Sequence, residues 1–449
     1  MIDAEPSGIR AWLSSLELFG IKLGLDAMRA ISQALGAPER EWKAVHIAGT
    51  NGKGSVAALT AHALQSAGYS TGRYTSPHLV RLEERIVING QPITDAALDQ
   101  SLARVRDAVE TLRQRGVLEG HPTFFEVTTA AAFDAFRTAG VEFGVIEVGL
   151  GGRFDATNVL QPMATAITTI DFDHEQHLGS TLRQIAFEKA GILKRGVPAV
   201  VGQMAAEARH EVERVALEQG APLIDVADGS SVAATRRSGL TELTLTTPIQ
   251  RYGPLVMSFR GAHQIPNALV AVRLVETLGS LGAAVGVRAV ESALRDARWP
   301  ARLDLRTLPD GRQVLIDGAH NPAGAAALSG YIAEEWPAGL PIVFGAMADK
   351  DLPRMLNAIG PLARPLVLTS APGKRAADPA DLDRIARAAG IASSTVSPAM
   401  NRRAKLCSCA IPYRDASCFR NALLESAKKT DLAPAYIESV SAACGRWLR

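Results

Sequence analysis

The chain has 449 residues, of which 47% are hydrophobic, and a formal net charge of +2. That length exceeds what one core fills and suits two or three domains. The near-neutral balance excludes a broad electrostatic footprint for nucleic acid, and no apolar run approaches a membrane span. The acidic start, Met1 to Glu5, lacks a signal pattern, so a soluble cytoplasmic protein is expected.

Residues 7 to 35 read as helical, with Trp12, Leu13, Leu16 and Leu18 spaced for one face and Lys22 to Leu25 as an interrupting turn. Val45 to Ala48 is a short buried strand. A glycine loop follows, and Ser55 to Ala67 forms a helix closed by Gly68. Strand, loop and helix make the first βα unit of a parallel sheet. Ser70 to Tyr74 is a further short strand. The alternation continues: helix 125–138, strand 143–149, strand 164–170, helix 182–193, strand 198–202. The Thr- and Arg-rich stretch from 225 to 260 reads as β-hairpins, and 264 to 297 as alanine-rich helix.

Trp299-Pro300-Ala301-Arg302 breaks this pattern and marks the domain boundary, giving domains 1–297 and 298–449. The second block places strands at Gln313–Ile316, Pro341–Phe344 and Pro365–Thr369, with helices between. The fold class expected is α/β: a larger P-loop nucleotide-binding domain with a parallel-rich sheet, then a smaller C-terminal α/β domain. A crevice between two such domains is a usual ligand site.

The loop Gly49-Thr50-Asn51-Gly52-Lys53-Gly54-Ser55 carries the chemistry. Backbone N–H groups in such a turn bind phosphate oxygens, and the helix N-terminus adds positive potential. Lys53 would reach β/γ-phosphates and Ser55 would offer a hydroxyl to Mg²⁺. The common pattern puts Lys directly before Ser or Thr, whereas here Gly54 intervenes. The bland alternative is an ordinary tight turn. Glu147 lies in the apolar run 143–148, where an unpaired carboxylate is costly and a metal would offset the cost. A pairing arginine would do the same. Asp171-Phe172-Asp173-His174 ends the next strand, at the edge where ligands of open parallel sheets bind. His174 is therefore a candidate for a metal or a phosphate. Ser76 could give Mg²⁺ a neutral oxygen, although Ser-Pro also simply starts a turn.

The set GTNGKGS (49–55), TSPHL (75–79), TFFE (123–126), EVGLGGRFDATN (147–158) and DFDHEQHLG (171–179) resembles the folylpolyglutamate synthase / dihydrofolate synthase family, a branch of the Mur-ligase-like ATP-dependent amide-bond formers. The resemblance continues through IAFEKAGILK (185–194), HQIPNALVA (263–271), WPARLD (299–304), DGAHNP (317–322) and FGAMADKD (344–351). It spans roughly residues 10 to 392 in order.

This resemblance implies that Gly49, Asn51, Gly52, Lys53, Gly54 and Ser55 cradle ATP phosphates. Ser55, Ser76, Glu147 and His174 would hold Mg²⁺, two ions being expected. Lys189 resembles a lysine that is carbamylated beside the metal; a salt bridge to Glu188 is the plain alternative. Lys53, Lys189 and His174 would be the catalytic set. Asn267, Arg302, Asp317 and His320 match nucleotide-contacting positions. The pterin or folate side would be lined by Lys22, Leu23, Gly24 and Leu25, by Thr123, Phe124, Phe125 and Glu126, and by Arg153, Phe154 and Asp155. The implied partners are small molecules: a pteroate or folate, L-glutamate and ATP. Neither nucleic acid nor membrane is expected, and a monomer is. Another Mur-type ligase, or an inactive nucleotide-binding relative, are the competing readings.

The tail departs from this family. After about Ser394 the apolar alternation stops, and all four cysteines (Cys407, Cys409, Cys418, Cys444) follow. The first 406 residues contain none, which fits a reducing compartment, and Cys-Ser-Cys is a poor zinc spacing. A Gly-Ser-bearing final strand is not recognisable. The tail is expected to be poorly packed.

Overall fold

A computed structural model of the chain describes residues 8–20, 22, 24–309, 311–371, 375–395 and 409–410. The strands between residues 43 and 225 build an eight-stranded sheet in the order β4-β3-β2-β5-β1-β6-β7-β8. Its strands are β1 Lys43–Ala48, β2 Thr71–Tyr74, β3 Ile86–Ile88, β4 Gln91–Pro92, β5 Phe143–Glu147, β6 Ala164–Ile167, β7 Ala199–Val201 and β8 Leu223–Asp225. Six strands run parallel, while β3 and β4 form an antiparallel edge. The parallel strands read as continuous apolar runs because helices cover both faces. On one face lie helix Lys53–Ser66 and the later helices Gln264–Ser280 and Val287–Asp296. On the other lie Asp95–Gln114 and Phe124–Thr138.

The observed strands β5 and β6 stop short of the expected ends 149 and 170. The residues beyond them are loops at the carboxyl edge, with Glu147 as the last residue of β5. Helix Leu182–Ala190 likewise ends before the expected 193. Helices Asp95–Gln114 and Ala206–Gln219 were not anticipated. The first was legible in principle: Thr94 accepts from the Ala97 N–H, and Leu98, Leu102, Val105, Val109 and Leu112 recur on one buried face. The hairpin expectation is met by the antiparallel strands β9 Ser231–Arg237, β10 Leu240–Thr246 and β11 Arg251–Met257.

The second sheet has the order β12-β13-β17-β14-β15-β16. Its strands are β12 Asp304–Thr307, β13 Gln313–Ile316, β14 Leu340–Phe344, β15 Ala363–Leu368, β16 Ser393–Thr395 and β17 Cys409–Ala410. Helices Pro322–Glu335, Leu352–Ile359 and Pro379–Ala388 pack on it around Phe344, Leu366 and Met355. β17 corrects the expectation that pairing ends near Ser394. Two tail residues insert antiparallel between β13 and β14, a piece too short to leave a period-two signal. The remaining tail, with its expected loose packing and free thiols, lies outside the described residues.

Phe136 is fully buried, edge-on to Trp42 at 5.6 Å, and fills the space left by the absent side chain of Gly72. Phe136→Ala should therefore cost about 3–5 kcal/mol, read as a lower denaturant midpoint at unchanged slope.

Candidate active site

β1 lies between β5 and β6, and the chain crosses over it on going from one to the other. At such a switch point the loops beyond the strand ends diverge and leave a crevice. Here that crevice opens into a cleft of about 3310 Å³, lined by both domains.

The glycine loop leaves β1 at Gly49. Gly52 has φ +86°, and a Cβ there would sit 2.2 Å from the Asn267 amide oxygen. At Gly54 a Cβ would meet the Trp299 indole at 2.3 Å. Only glycine fits these close approaches. The loop is tied to the end of β6: Thr50 Oγ1 exchanges 3.0 Å hydrogen bonds with the Asp171 backbone, and the Thr50 N–H donates to the Thr169 carbonyl at 2.7 Å.

Lys53 starts the helix and folds back. Its Nζ donates to the Gly49 and Thr50 carbonyls at 3.0 and 3.1 Å. Lys189 Nζ donates to the same Gly49 oxygen at 2.9 Å. Burial pushes both lysines down. Lys189 falls to about 7, with the Lys53 charge as the second cause. The salt bridge considered for Lys189 is not formed, because Glu188 pairs with Arg153 at 2.6 Å.

Glu147 is buried at the end of β5 and accepts from the Ser76 N–H at 3.2 Å. Burial raises its pKa, against the pull of Lys53. Ser55 is buried and Ser76 half-buried, and both line the cleft with Glu147. Among the described residues no group of three or more His, Cys, Asp or Glu side chains is arranged to hold a metal ion. A cation here would rest on one carboxylate and neutral oxygens, a donor set that suits Mg²⁺, which keeps several waters.

His174 adopts φ +52° and sits in an inter-domain cluster. Asp173 pairs with Lys350 at 2.7 Å, and His320 Nε2 stands 3.6 Å away. Asn321 Nδ2 donates both to Asp173, at 3.1 Å, and to Asn51 Oδ1, at 3.0 Å. The Asn321 side-chain oxygen caps helix Pro322–Glu335. Burial opposes ionisation of Asp173, yet His174, Lys350 and His320 hold it below the usual carboxylate range. Burial, with Lys350 adding to it, lowers His174 and His320 to about 4, so both imidazoles are neutral at pH 7. Asp173 and Lys350 lay inside the motifs DFDH and DKD, but sequence reasoning gave them no role.

Of the nucleotide candidates, Asn267 packs on the loop and donates to Gln264 at 2.9 Å. Asp317 accepts from the Leu303 and Ala319 N–H groups, both at 2.8 Å, and Arg302 packs over Gly318.

The substrate candidates divide. Thr123 and Glu126 close a reciprocal capping box on helix Phe124–Thr138, so both have structural work. Phe124 carries the Arg85 guanidinium at 5.3 Å, and Phe125 lies beside Tyr74. Asp155 is buried and holds its own loop through the Leu150 and Thr157 N–H groups. Arg153 stacks on Phe154 at 4.2 Å, and Phe154 also lines the cleft. Lys22 donates to the His121 carbonyl at 2.8 Å, Gly24 lines the cleft, and Leu25 is buried. Leu23 lies outside the described residues.

Residues 47–275 match the Mur ligase middle domain, and residues 301–411 match the Mur ligase glutamate ligase domain. The dihydrofolate synthase/folylpolyglutamate synthase of Bacillus subtilis is 37% identical, over 83% of this chain and 87% of its own. The solved Mycobacterium tuberculosis folylpolyglutamate synthase complexed with ADP and AMPPCP is 30% identical, with a TM-score of 0.81 over 98% of this chain and 99% of its own. An FPGS–AMPPCP–folate complex is 32% identical, with a TM-score of 0.75 over 86% and 95% of the two chains. With its glycine loop, buried lysines and two-domain cleft, this chain belongs to the folylpolyglutamate synthase / dihydrofolate synthase family of Mur-type ligases.

Proposed function

We propose that the chain is an ATP-dependent ligase that activates a pteroate or folate carboxylate and couples it to L-glutamate. The observation that carries this reading is the convergence of Lys53 and Lys189 on one loop carbonyl, at the carboxyl edge of the sheet, beside a second domain. The sequence-derived division at 297/298 and the cytoplasmic placement are kept with this reading.

A carboxylate is a poor electrophile, so one of its oxygens first attacks the γ-phosphorus of ATP, and ADP leaves. The Gly49–Ser55 loop and the helix N-terminus hold the phosphates. Lys53 sits where an incoming γ-phosphoryl group would replace its carbonyl partners, and it neutralises the charge that develops there. The glutamate amine then attacks the acyl carbon, and phosphate departs. Mg²⁺ held by Glu147 with the Ser55 and Ser76 hydroxyls, and by neutral His174, would supply further charge neutralisation on the phosphate oxygens. Asn267, Arg302, Asp317 and His320 are assigned to the nucleotide. Contacts such as Asp173–Lys350 and Asn51–Asn321 keep the domains together over the cleft, which protects the acyl phosphate from water.

Lys189 is assigned as a carbamate. Its neutral amine attacks the carbon of CO₂, an N–C bond forms, and the ammonium proton is lost to solvent. The product is an anionic oxygen ligand beside the phosphates. With a pKa of about 7, a substantial fraction of the amine is neutral at physiological pH.

Lys53→Ala should abolish ADP release in the presence of Mg²⁺, ATP, L-glutamate and either dihydropteroate or tetrahydrofolate; turnover at the wild-type rate would remove the assignment. The neutral fraction of Lys189 rises from about a tenth at pH 6 to about nine-tenths at pH 8. Isotopically labelled bicarbonate should accordingly give a carbamate carbon resonance that grows over this range and is missing in Lys189→Ala. A spectrum without that resonance at either pH would refute carbamylation.

A further inference from the structure

Arg73 stands on β2 between Gly72 and Tyr74. Those neighbours face helix Phe124–Thr138: Gly72 packs on Phe136, and the Tyr74 hydroxyl meets Thr128 and Thr129. Alternation along the strand turns Arg73 to the opposite face of the sheet. There its guanidinium lies over the Trp299 ring at 4.9 Å and lines the cleft. The same indole packs on Gly54, so Arg73 sits beside the first turn of the glycine-loop helix rather than on the loop itself.

Arg73 is half-buried at the cleft, and its inner nitrogen lacks a close partner. Its Nε is buried without a hydrogen-bond partner. Among the described residues no carboxylate oxygen lies within 4.0 Å of its nitrogens. Among the described residues Glu147 is the carboxylate that acts on it, from longer range; burial lowers the Arg73 pKa to about 10. By contrast, Arg104 pairs with Asp134 at 2.6 Å, Arg153 with Glu188 at 2.6 Å and Arg273 with Glu276 at 2.8 Å, and the buried Arg85 donates from Nε to His78 at 2.8 Å. A desolvated charge without a counter-ion is strongly unfavourable, and a guanidinium fork matches a planar carboxylate.

We propose that Arg73, braced by Trp299, is an anchor for a glutamate carboxylate in the cleft. This rests on the ligase reading above. The phosphates have their own cradle in the glycine loop and Lys53, whereas the other substrates of such a ligase are carboxylates. Two sources share this chemistry: free L-glutamate, and the glutamyl tail of a folate acceptor. Dihydropteroate has no such tail, so the choice of acceptor separates them.

The test compares the full-length chain with Arg73→Met and Arg73→Lys by ADP release with Mg²⁺ and ATP. L-glutamate and the acceptor are titrated in turn, with dihydropteroate or tetrahydrofolate as acceptor. Arg73→Met should raise one carboxylate KM by about tenfold or more, equivalent to about 1.4 kcal/mol. The KM for ATP, the Mg²⁺ requirement and the melting temperature should stay unchanged, and Arg73→Lys should recover part of the loss. A rise confined to L-glutamate identifies the incoming amino acid. A rise for tetrahydrofolate that spares dihydropteroate identifies the glutamyl tail. The proposal is overturned if no KM moves in either variant. It is equally overturned if the KM for ATP or the Mg²⁺ requirement moves with the rest, since Arg73 would then only balance Glu147. Absence of glutamate-dependent ADP release from the unsubstituted chain would sink the ligase reading itself, which the variants do not probe.

Discussion

Two ammonium groups share the carbonyl oxygen of Gly49, 2.9 and 3.0 Å away, with Lys189 buried and Lys53 half-buried at the cleft. Like charges this close, facing a single dipole, are held only because the surroundings are arranged to tolerate them. Lys53 draws on Glu147, Asp173 and Asp155, and Lys189 on Asp173 and Asp155. Lys189 also responds by giving up its proton readily. The loop must carry its carbonyls inward to receive both lysines. That requires the backbone of Gly52 and the bare Cα of Gly54, against which Asn267 and Trp299 are packed. On the ligase reading, a phosphate group entering here would offer Lys53 anionic oxygens in place of its carbonyl partners, and an ammonium binds those more strongly.

The second domain takes part in this arrangement. Asn321 at once caps helix Pro322–Glu335, touches Asn51 of the glycine loop and touches Asp173 beyond β6. Lys350 supplies Asp173 with its counter-charge. A chain of contacts thus links the glycine loop to a helix terminus of the other domain. This is the coupling that a ligase with a water-sensitive acyl phosphate needs. Trp299 plays a related part from the connecting segment, since its indole presses on both Gly54 and Arg73.

Much of this was legible in the residues alone. The β1–loop–helix unit announces itself through an apolar run, close-set glycines and a lysine at the helix start. The position of Glu147 at the end of an apolar strand already raised the question of what compensates it. The structure also gives some side chains partners that adjacency in the sequence does not suggest. Lys189 next to Glu188 suggested a pair, but neighbours on a helix point about 100° apart, and Glu188 turns to Arg153 instead. Glu126, grouped with the substrate residues, lines the cleft and also caps its own helix. β17 is too short to carry any periodic signal.

What the sequence by itself determined is local. It determined the alternation of strands and helices, the glycine loop, the break at Trp299 and an ordered set of motifs sufficient to identify the family. Local periodicity and close approach are properties of neighbouring residues, so they survive in one dimension. Only the tertiary structure decided which charges are paired. Asp173 meets Lys350 across 177 positions, and Lys189 reaches Gly49 across 140. Arg73, a strand residue of no visible distinction, is left without a carboxylate close by. The energy of a charge depends on its distance to every other charge and to water. Those distances exist only once the two domains have folded around the cleft.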